Sequence, residues 1–193
     1  MAEYRLRTPI SEDEARKLRA GDVIYISGVV VTARDQAHRR ALELARRGEK
    51  LPIDLEGGVV YHCGPIVRQE GGEWKIYGFG PTTSARMEPL EPEFIEKFRV
   101  RVIVGKGGMF ERTTEALKRF GAVYAQHPGG ASALAVSSVK RVLGVHWLDL
   151  GMPEAMWVVE VEDLGPLTVT IDSTGRNLYL EVLEAARARA GKK

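Results

Sequence analysis

A chain of 193 residues is long enough to bury a substantial core in one domain without a disulfide or metal staple. Apolar residues at 44% and charged residues at 28% exclude disorder as the main state, and exclude a collagen-like or coiled-coil rod. Lys and Arg number 28 against 26 Asp and Glu, a net charge of +2, too little to argue for nucleic acid or a membrane surface.

In chain order, the opening segment MAEYRLRTPISEDEAR lacks the apolar core of a secretory leader. Residues 11–20, SEDEARKLRA, predict a short helix with Ser11 as N-cap, Glu14 completing a capping box and Gly21 as the stop. GDVIYISGVVVTA is β-branched and predicts a strand; its apolar stretch, broken by Ser27 and Gly28, is too short to span a membrane. Asp35 can cap a helix running to about Gly48, with Ala37, Ala41, Leu44 and Ala45 on one face. VVYHC, between Gly57 and Gly64, predicts a second strand. Residues 70–73 read as a turn before WKIYGF, residues 81–92 as loop, and residues 93–98 as one or two helical turns.

From residue 99 the pattern becomes strand, glycine turn, helix, twice over: RVRVIVG, GKGGM and FERTTEALKRFG, then AVYAQH and PGGASALAVSSVKRVLG. Apolar runs follow at Met156–Val161 and Leu167–Ile171. Asn177 to Ala190 closes the chain as a helix, with Gly191, Lys192 and Lys193 as a frayed tail. The chain shows no internal repeat or low-complexity linker, so residues 1–193 read as a single α/β domain of layered sheets and helices.

Five segments are polar and glycine-rich in ways a core does not require. Arg34, in TARDQAH, stands before a helix N-terminus, where a cation is uncomfortable unless an anion joins it; the plain alternative is an exposed pair with Asp35. GPTTSARM offers the hydroxyls of Thr82, Thr83 and Ser84 and the bidentate fork of Arg86; the alternative is a turn whose hydroxyls bond their own backbone. In GKGGM, Lys106 is a compact positive charge beside Gly107 and Gly108, but the spacing is that of neither a P-loop nor a dinucleotide fingerprint. His127-Pro128-Gly129-Gly130 precedes a helix and is a further anion-site candidate. WLDLGMPEAMW reads as a packed hairpin or interface loop. His62 and His146 read as structural, and Cys63 as a buried small hydrophobe. One cysteine excludes a disulfide and any zinc or iron–sulfur site built from this chain's own thiolates, and it suits a reducing cytosol. Three cations on separate polar turns, without a strong base or a metal-ligating set, read as half of a site for a small dicarboxylate.

TARDQAH, GPTTSARM, GKGGM, the Pro-Gly-Gly turn and WLDLGMPEAMW, in this order from about Arg19 to Tyr179, resemble the β subunit of class I fumarate hydratases and of L(+)-tartrate dehydratases. Ala85 stands for a glycine within the second motif. The resemblance implies a swivelling β/β/α domain, and a partner α subunit that holds a four-iron four-sulfur cluster. It implies a hetero-oligomer in the cytoplasm that reversibly hydrates fumarate to malate, with tartrate dehydration as the alternative. It places Arg34, Arg86 and Lys106 on the dicarboxylate and makes Thr82 the candidate for proton transfer, with Asp35, His38, Thr83 and Gly107 supporting them. No metal ligand is expected on this chain, and neither nucleic acid nor membrane among its partners. A non-catalytic dicarboxylate-binding module is the reading of a different class.

Overall fold

The computed structural model describes residues 1–191. The elements run β1 (Glu3–Arg7), α1 (Glu12–Lys17), β2 (Val23–Thr32), α2 (Asp35–Arg46), β3 (Val59–Tyr61), β4 (Ile66–Glu70), β5 (Glu73–Gly78), α3 (Glu91–Phe98), β6 (Val102–Gly105), α4 (Glu111–Phe120), β7 (Val123–Gln126), α5 (Ser132–Val136), β8 (Val139–His146), β9 (Met156–Ile171) and α6 (Leu178–Ala190). The expected α/β class holds. The layered sheets do not: the larger sheet closes on itself.

β2, β3, β6 and β7 pair in parallel, and β9 runs antiparallel to both β7 and β2, which completes a five-stranded barrel. β1 extends it beside β2, and β8 beside β9. The 16-residue β9 joins both edges because it bends; its pairings with β2, β7 and β8 all carry register shifts. β4 and β5 form a separate hairpin through Gly71 and Gly72.

Side-chain alternation sorts the parallel strands into two cores. Val59, Tyr61, Val102, Val104, Val123 and Ala125 join Trp157, Val159 and Leu167 inside the barrel. Their neighbours Val60, Ile103 and Tyr124 face outward, against Ala37, Ala41, Leu42, Phe94, Ile95 and Leu117 of the helices. Strands buried on both faces carry no polar alternation, which is why they read as continuous apolar runs.

The capping box forms as expected: Ser11 N donates to Glu14 Oε2 at 2.9 Å, and Glu14 N donates to Ser11 Oγ at 3.2 Å. Gly121 ends α4 in the left-handed conformation at φ 68°. Several expectations are corrected. α1 stops at Lys17, before Gly21, and α2 stops at Arg46. The buried face of α2 is Ala37, His38, Ala41 and Leu42, not Leu44 and Ala45, because the helix is rotated toward α3. PGGASALAVSSVKRVLG is not one helix: α5 lasts five residues, and the β-branched VKRV becomes β8 because β9 offers it an edge. The two apolar runs after Met156 are the two ends of one strand. The loop expected over residues 81–92 contains a 3-10 turn, Ser84–Met87, and α3 begins within it at Glu91. β4 carried no signal of its own in the sequence. Of the expected tail, Lys192 and Lys193 lie outside the described residues.

Asn177 caps α6 and also ties it to the body. Its Oδ1 accepts from Tyr179 N at 3.0 Å, and its Nδ2 donates to Met109 O at 3.1 Å and to Thr114 Oγ1 at 2.8 Å. Asn177→Ala removes the cap and leaves buried partners unpaired. It should cost about 2 kcal/mol, read as a lowered urea midpoint, with Asn177→Asp intermediate because it keeps only the cap.

Candidate active site

Because β2, β3, β6 and β7 are parallel, their C-terminal ends open on one rim of the barrel. The residues that follow them are Arg34, His62, Lys106 and His127. Ligand sites of parallel sheets gather at this end of the strands. The Pro81–Met87 segment threads across the rim. Pro81 bridges to Cys63, Thr82 N donates to His62 O at 2.7 Å, Thr83 pairs with Lys106, and Ser84 N donates to Lys106 O at 2.9 Å. The segment therefore lies between the ends of β3 and β6, which brings residues from three sequence motifs side by side.

Arg86 donates to Thr82 Oγ1 at 3.1 Å, and its Nη2 lies 3.0 Å from Asp35 Oδ2. Asp35 is therefore neither the partner of Arg34 nor a side-chain cap of α2; it spans to the next motif and holds Arg86. Arg34 is the N-cap residue of α2, and Glu154, from the β8–β9 hairpin loop, lies 3.2 Å from its Nε. Glu154 Oε2 also accepts from Gln36 N, at 2.9 Å, in the first turn of α2. The helix end uncomfortable for a cation thus holds a carboxylate. Each guanidinium has five donors, so one carboxylate partner orients it and leaves an edge for another anion.

Lys106 has no ion-pair partner among the described residues. Its side chain passes Gly129 of the Pro-Gly-Gly turn. Gly107 and Gly108 both have φ of 77°, and a Cβ on Gly108 would strike the Tyr179 ring. A Cβ on Gly105 would meet Ser84, Tyr124 and His62 together, so only glycine lets the segment approach β6 this closely. Thr83 and Gly107 are exposed, and their contribution is backbone shape.

His127 does not join the rim. It is buried, with Nδ1 2.7 Å from Tyr61 OH, and burial lowers its pKa. α5 is too short to form the anion site expected there. The WLDLGMPEAMW segment is the hairpin loop it was read as, with Trp157 Nε1 donating to Met152 O at 2.8 Å.

Beneath the rim lies a cluster the sequence did not reveal. His38, His62 and Glu91 are all fully buried, and Glu91 Oε2 lies 3.3 Å from His38 Nε2 and 2.9 Å from His62 Nε2. His38 Nδ1 contacts Arg34 O at 2.9 Å; His62 Nδ1 contacts Ser84 Oγ at 2.9 Å, and Ser84 Oγ accepts from Tyr124 OH at 2.9 Å. Burial alone would raise the Glu91 carboxyl, but the two imidazoles outweigh it and hold its pKa at about 2. Burial pulls both imidazoles down; Glu91 overcomes it for His38, which is raised, and not for His62, which is lowered. His38 therefore sits under Arg34, as its spacing suggested, but it faces inward. Glu154 and Glu91 are the acidic residues missed. Glu154 was visible only as a carboxylate in a loop, and Glu91 fell within the stretch read as loop.

Fold and rim define an α/β barrel domain with an open cluster of cations at the ends of its parallel strands. The Fumarase C-terminus family profile matches residues 1–182, and the chain belongs to that family. It is 47% identical over 176 residues to L(+)-tartrate dehydratase subunit beta of Escherichia coli (strain K12), covering 91% of this chain and 86% of that one. It is 45% identical over 174 residues to the putative L(+)-tartrate dehydratase subunit beta of Methanocaldococcus jannaschii, covering 90% and 89%. Against the putative fumarate hydratase class I of Geobacillus stearothermophilus it is 40% identical over 178 residues, 92% of this chain and 34% of the other. The chain is thus of the β-subunit type of this family, and these relatives are named as dehydratase subunits and a hydratase. Among the described residues no helix is long and apolar enough to cross a membrane.

Proposed function

We propose that this chain is the β half of an iron–sulfur hydro-lyase that hydrates fumarate to malate reversibly, in a cytoplasmic hetero-oligomer with an α subunit. The observation that carries the reading is the contact path Arg34–Asp35, Arg86, Thr82–Thr83, Lys106, which links three cations and a hydroxyl on one open rim. Arg34, Arg86 and Lys106 bind and orient the two carboxylates. Thr82 hands its hydroxyl proton to the substrate carbon during hydration and takes one back during dehydration, and the adjacent Arg86 charge stabilises the oxygen left behind. An α-subunit carboxylate acting with Thr82 would share this burden.

The iron–sulfur cluster does not fit this chain. Cys63 is its one cysteine, fully buried, and burial pushes its thiol up, away from the thiolate a cluster needs. The cluster belongs in this reading to the α subunit, where it would supply Lewis-acid chemistry. A partner over the rim is supported by exposed Phe110, Leu134, Leu148 and Met152, which stand on the loops and the short helix that surround it. The swivelling of this domain over the partner is part of the same proposal.

The higher identity to tartrate dehydratase subunits favours a second reading, dehydration of L(+)-tartrate. The two substrates differ by a hydroxyl, which one placed hydrogen bond can discriminate. Anaerobic co-expression with the α subunit, followed by parallel assays of fumarate hydration and tartrate dehydration, separates them. Activity on fumarate that needs both chains is expected. Activity on tartrate alone moves the assignment, and dicarboxylate binding by this chain without activity in any complex restores the binding-module reading. Lys106→Ala should raise KM about tenfold with a smaller effect on kcat, since it removes a charge that binds ground and transition states alike; an unchanged KM counts against its role.

A further inference from the structure

The structure assigns His38, His62 and Glu91 as a buried site for one divalent transition-metal ion, with zinc as the expected occupant. Six buried side-chain nitrogen or oxygen atoms lack a hydrogen-bond partner among the described residues, and four of them are His38 Nε2, His62 Nε2, Glu91 Oε1 and Glu91 Oε2. They belong to three residues whose ligating atoms all lie within 4.8 Å of one another. Orphaned polar atoms in a core are costly, and four converging on one place call for a cation.

Hydrogen bonding within the cluster does not meet the demand. The Glu91 carboxylate lies 3.3 Å and 2.9 Å from the two imidazole nitrogens, but neither contact has the geometry of a hydrogen bond. The far nitrogens admit the tautomers that a metal ion needs. The carbonyl of Arg34 can only accept, so His38 Nδ1 carries the proton of that bond. Ser84 Oγ, which accepts from Tyr124, can accept from His62 Nδ1–H as well as donate to that nitrogen. With both Nδ1 atoms protonated, both Nε2 atoms present lone pairs toward the carboxylate, the arrangement that a metal ion between them would satisfy. Backing of the far imidazole nitrogen by a carbonyl or hydroxyl is how proteins orient metal-bound histidine.

The donor spacings also suit an ion. Bonds of about 2.0 Å in tetrahedral geometry set donors about 3.3 Å apart, close to the 3.3 Å and 2.9 Å from Glu91 Oε2 to the two imidazole nitrogens, and the cluster offers three donors, two nitrogens and one carboxylate oxygen. Imidazole and carboxylate donors without thiolate suit zinc, and the full burial of all three residues suits a structural ion. The ion would join the first turn of α2, the end of β3 and the start of α3. Those three points hold Arg34 through its carbonyl and Thr82 through the carbonyl of His62. The site would therefore stiffen the rim from beneath, whichever dicarboxylate the rim binds.

The test is metal content of the full-length chain, purified from zinc-supplied cells and dialysed against EDTA, and the visible spectrum of the cobalt(II)-grown chain. About one zinc per chain is expected, with cobalt bands of a nitrogen–oxygen site. Glu91→Gln should lose the ion. Should it fail to fold, Ser84→Ala, which removes the hydroxyl behind the far nitrogen of His62 and touches no proposed ligand atom, should weaken zinc about tenfold. A folded wild-type chain without stoichiometric metal overturns the site. So does an ion held equally by Glu91→Gln, or a cobalt–thiolate band that reports Cys63 instead.

Discussion

Arg86→Ala is expected to leave the chain folded and to lower turnover of the complex about a thousandfold or more. The side chain is 44% exposed, and it contacts Thr82 Oγ1 and Asp35 Oδ2, both on the rim. No core atom loses a neighbour, so the urea midpoint should hold. What disappears is the positive charge beside the hydroxyl and one planar fork for a carboxylate. Arg86→Lys should recover little, because an ammonium cannot hold Asp35, Thr82 and a ligand in one plane. Asp35→Asn gives the contrast. It releases the guanidinium without removing it, so its cost should be far smaller and fall mainly on KM. Near-wild-type turnover of Arg86→Ala would remove Arg86 from the site.

The fold was legible wherever local pattern and tertiary context agreed. The Ser11–Glu14 capping box, Gly121 ending α4 and Asn177 opening α6 are decided by backbone chemistry within a few residues. The closure of the sheet was not legible. It depends on β9 pairing with both β2 and β7, and residues 162–166 read as a break between two apolar runs because the bends that let one strand serve two edges look like loop. VKRVLG failed for a related reason. Its helical appearance came from the preceding SALAV, and β9 supplied an edge that no local signal announces.

The rim was legible because cations on glycine-rich turns have no use in a core. Arg34, Arg86 and Lys106 could be chosen from residue type and position, and the topology gathers the strand ends that carry them. Their partners were not legible. Asp35 reaches Arg86 and Glu154 reaches Arg34 across long sequence separations, and a carboxylate in a loop gives no hint of its partner. The buried cluster was hidden more deeply. His62 was read as structural, and its buried partner Glu91 fell within the stretch read as loop, where nothing marks an acidic residue for burial. Burial of a charge is a property of packing, and the local sequence around Glu91 is polar.

Thr82→Val should lower kcat of the complex about a thousandfold with KM nearly unchanged, and Thr82→Ser should retain most of the turnover. Thr82 is only partly buried, so exchanging a hydroxyl for a methyl there leaves the core intact. A threonine hydroxyl is a very weak acid, and its alkoxide is costly unless charge stands beside it. Here Arg86 donates to the oxygen at 3.1 Å, and Thr83 pairs with Lys106 one residue away. This arrangement predicts that hydroxyl and guanidinium act as a unit. The Thr82→Val/Arg86→Ala double variant should then be no slower than the worse single, because the second change removes a group already without its partner. Additive losses would assign the proton to another donor, with the α subunit first in line, and leave Arg86 as a carboxylate ligand alone. Retention of most turnover in Thr82→Val would end the proton-transfer role of Thr82 outright.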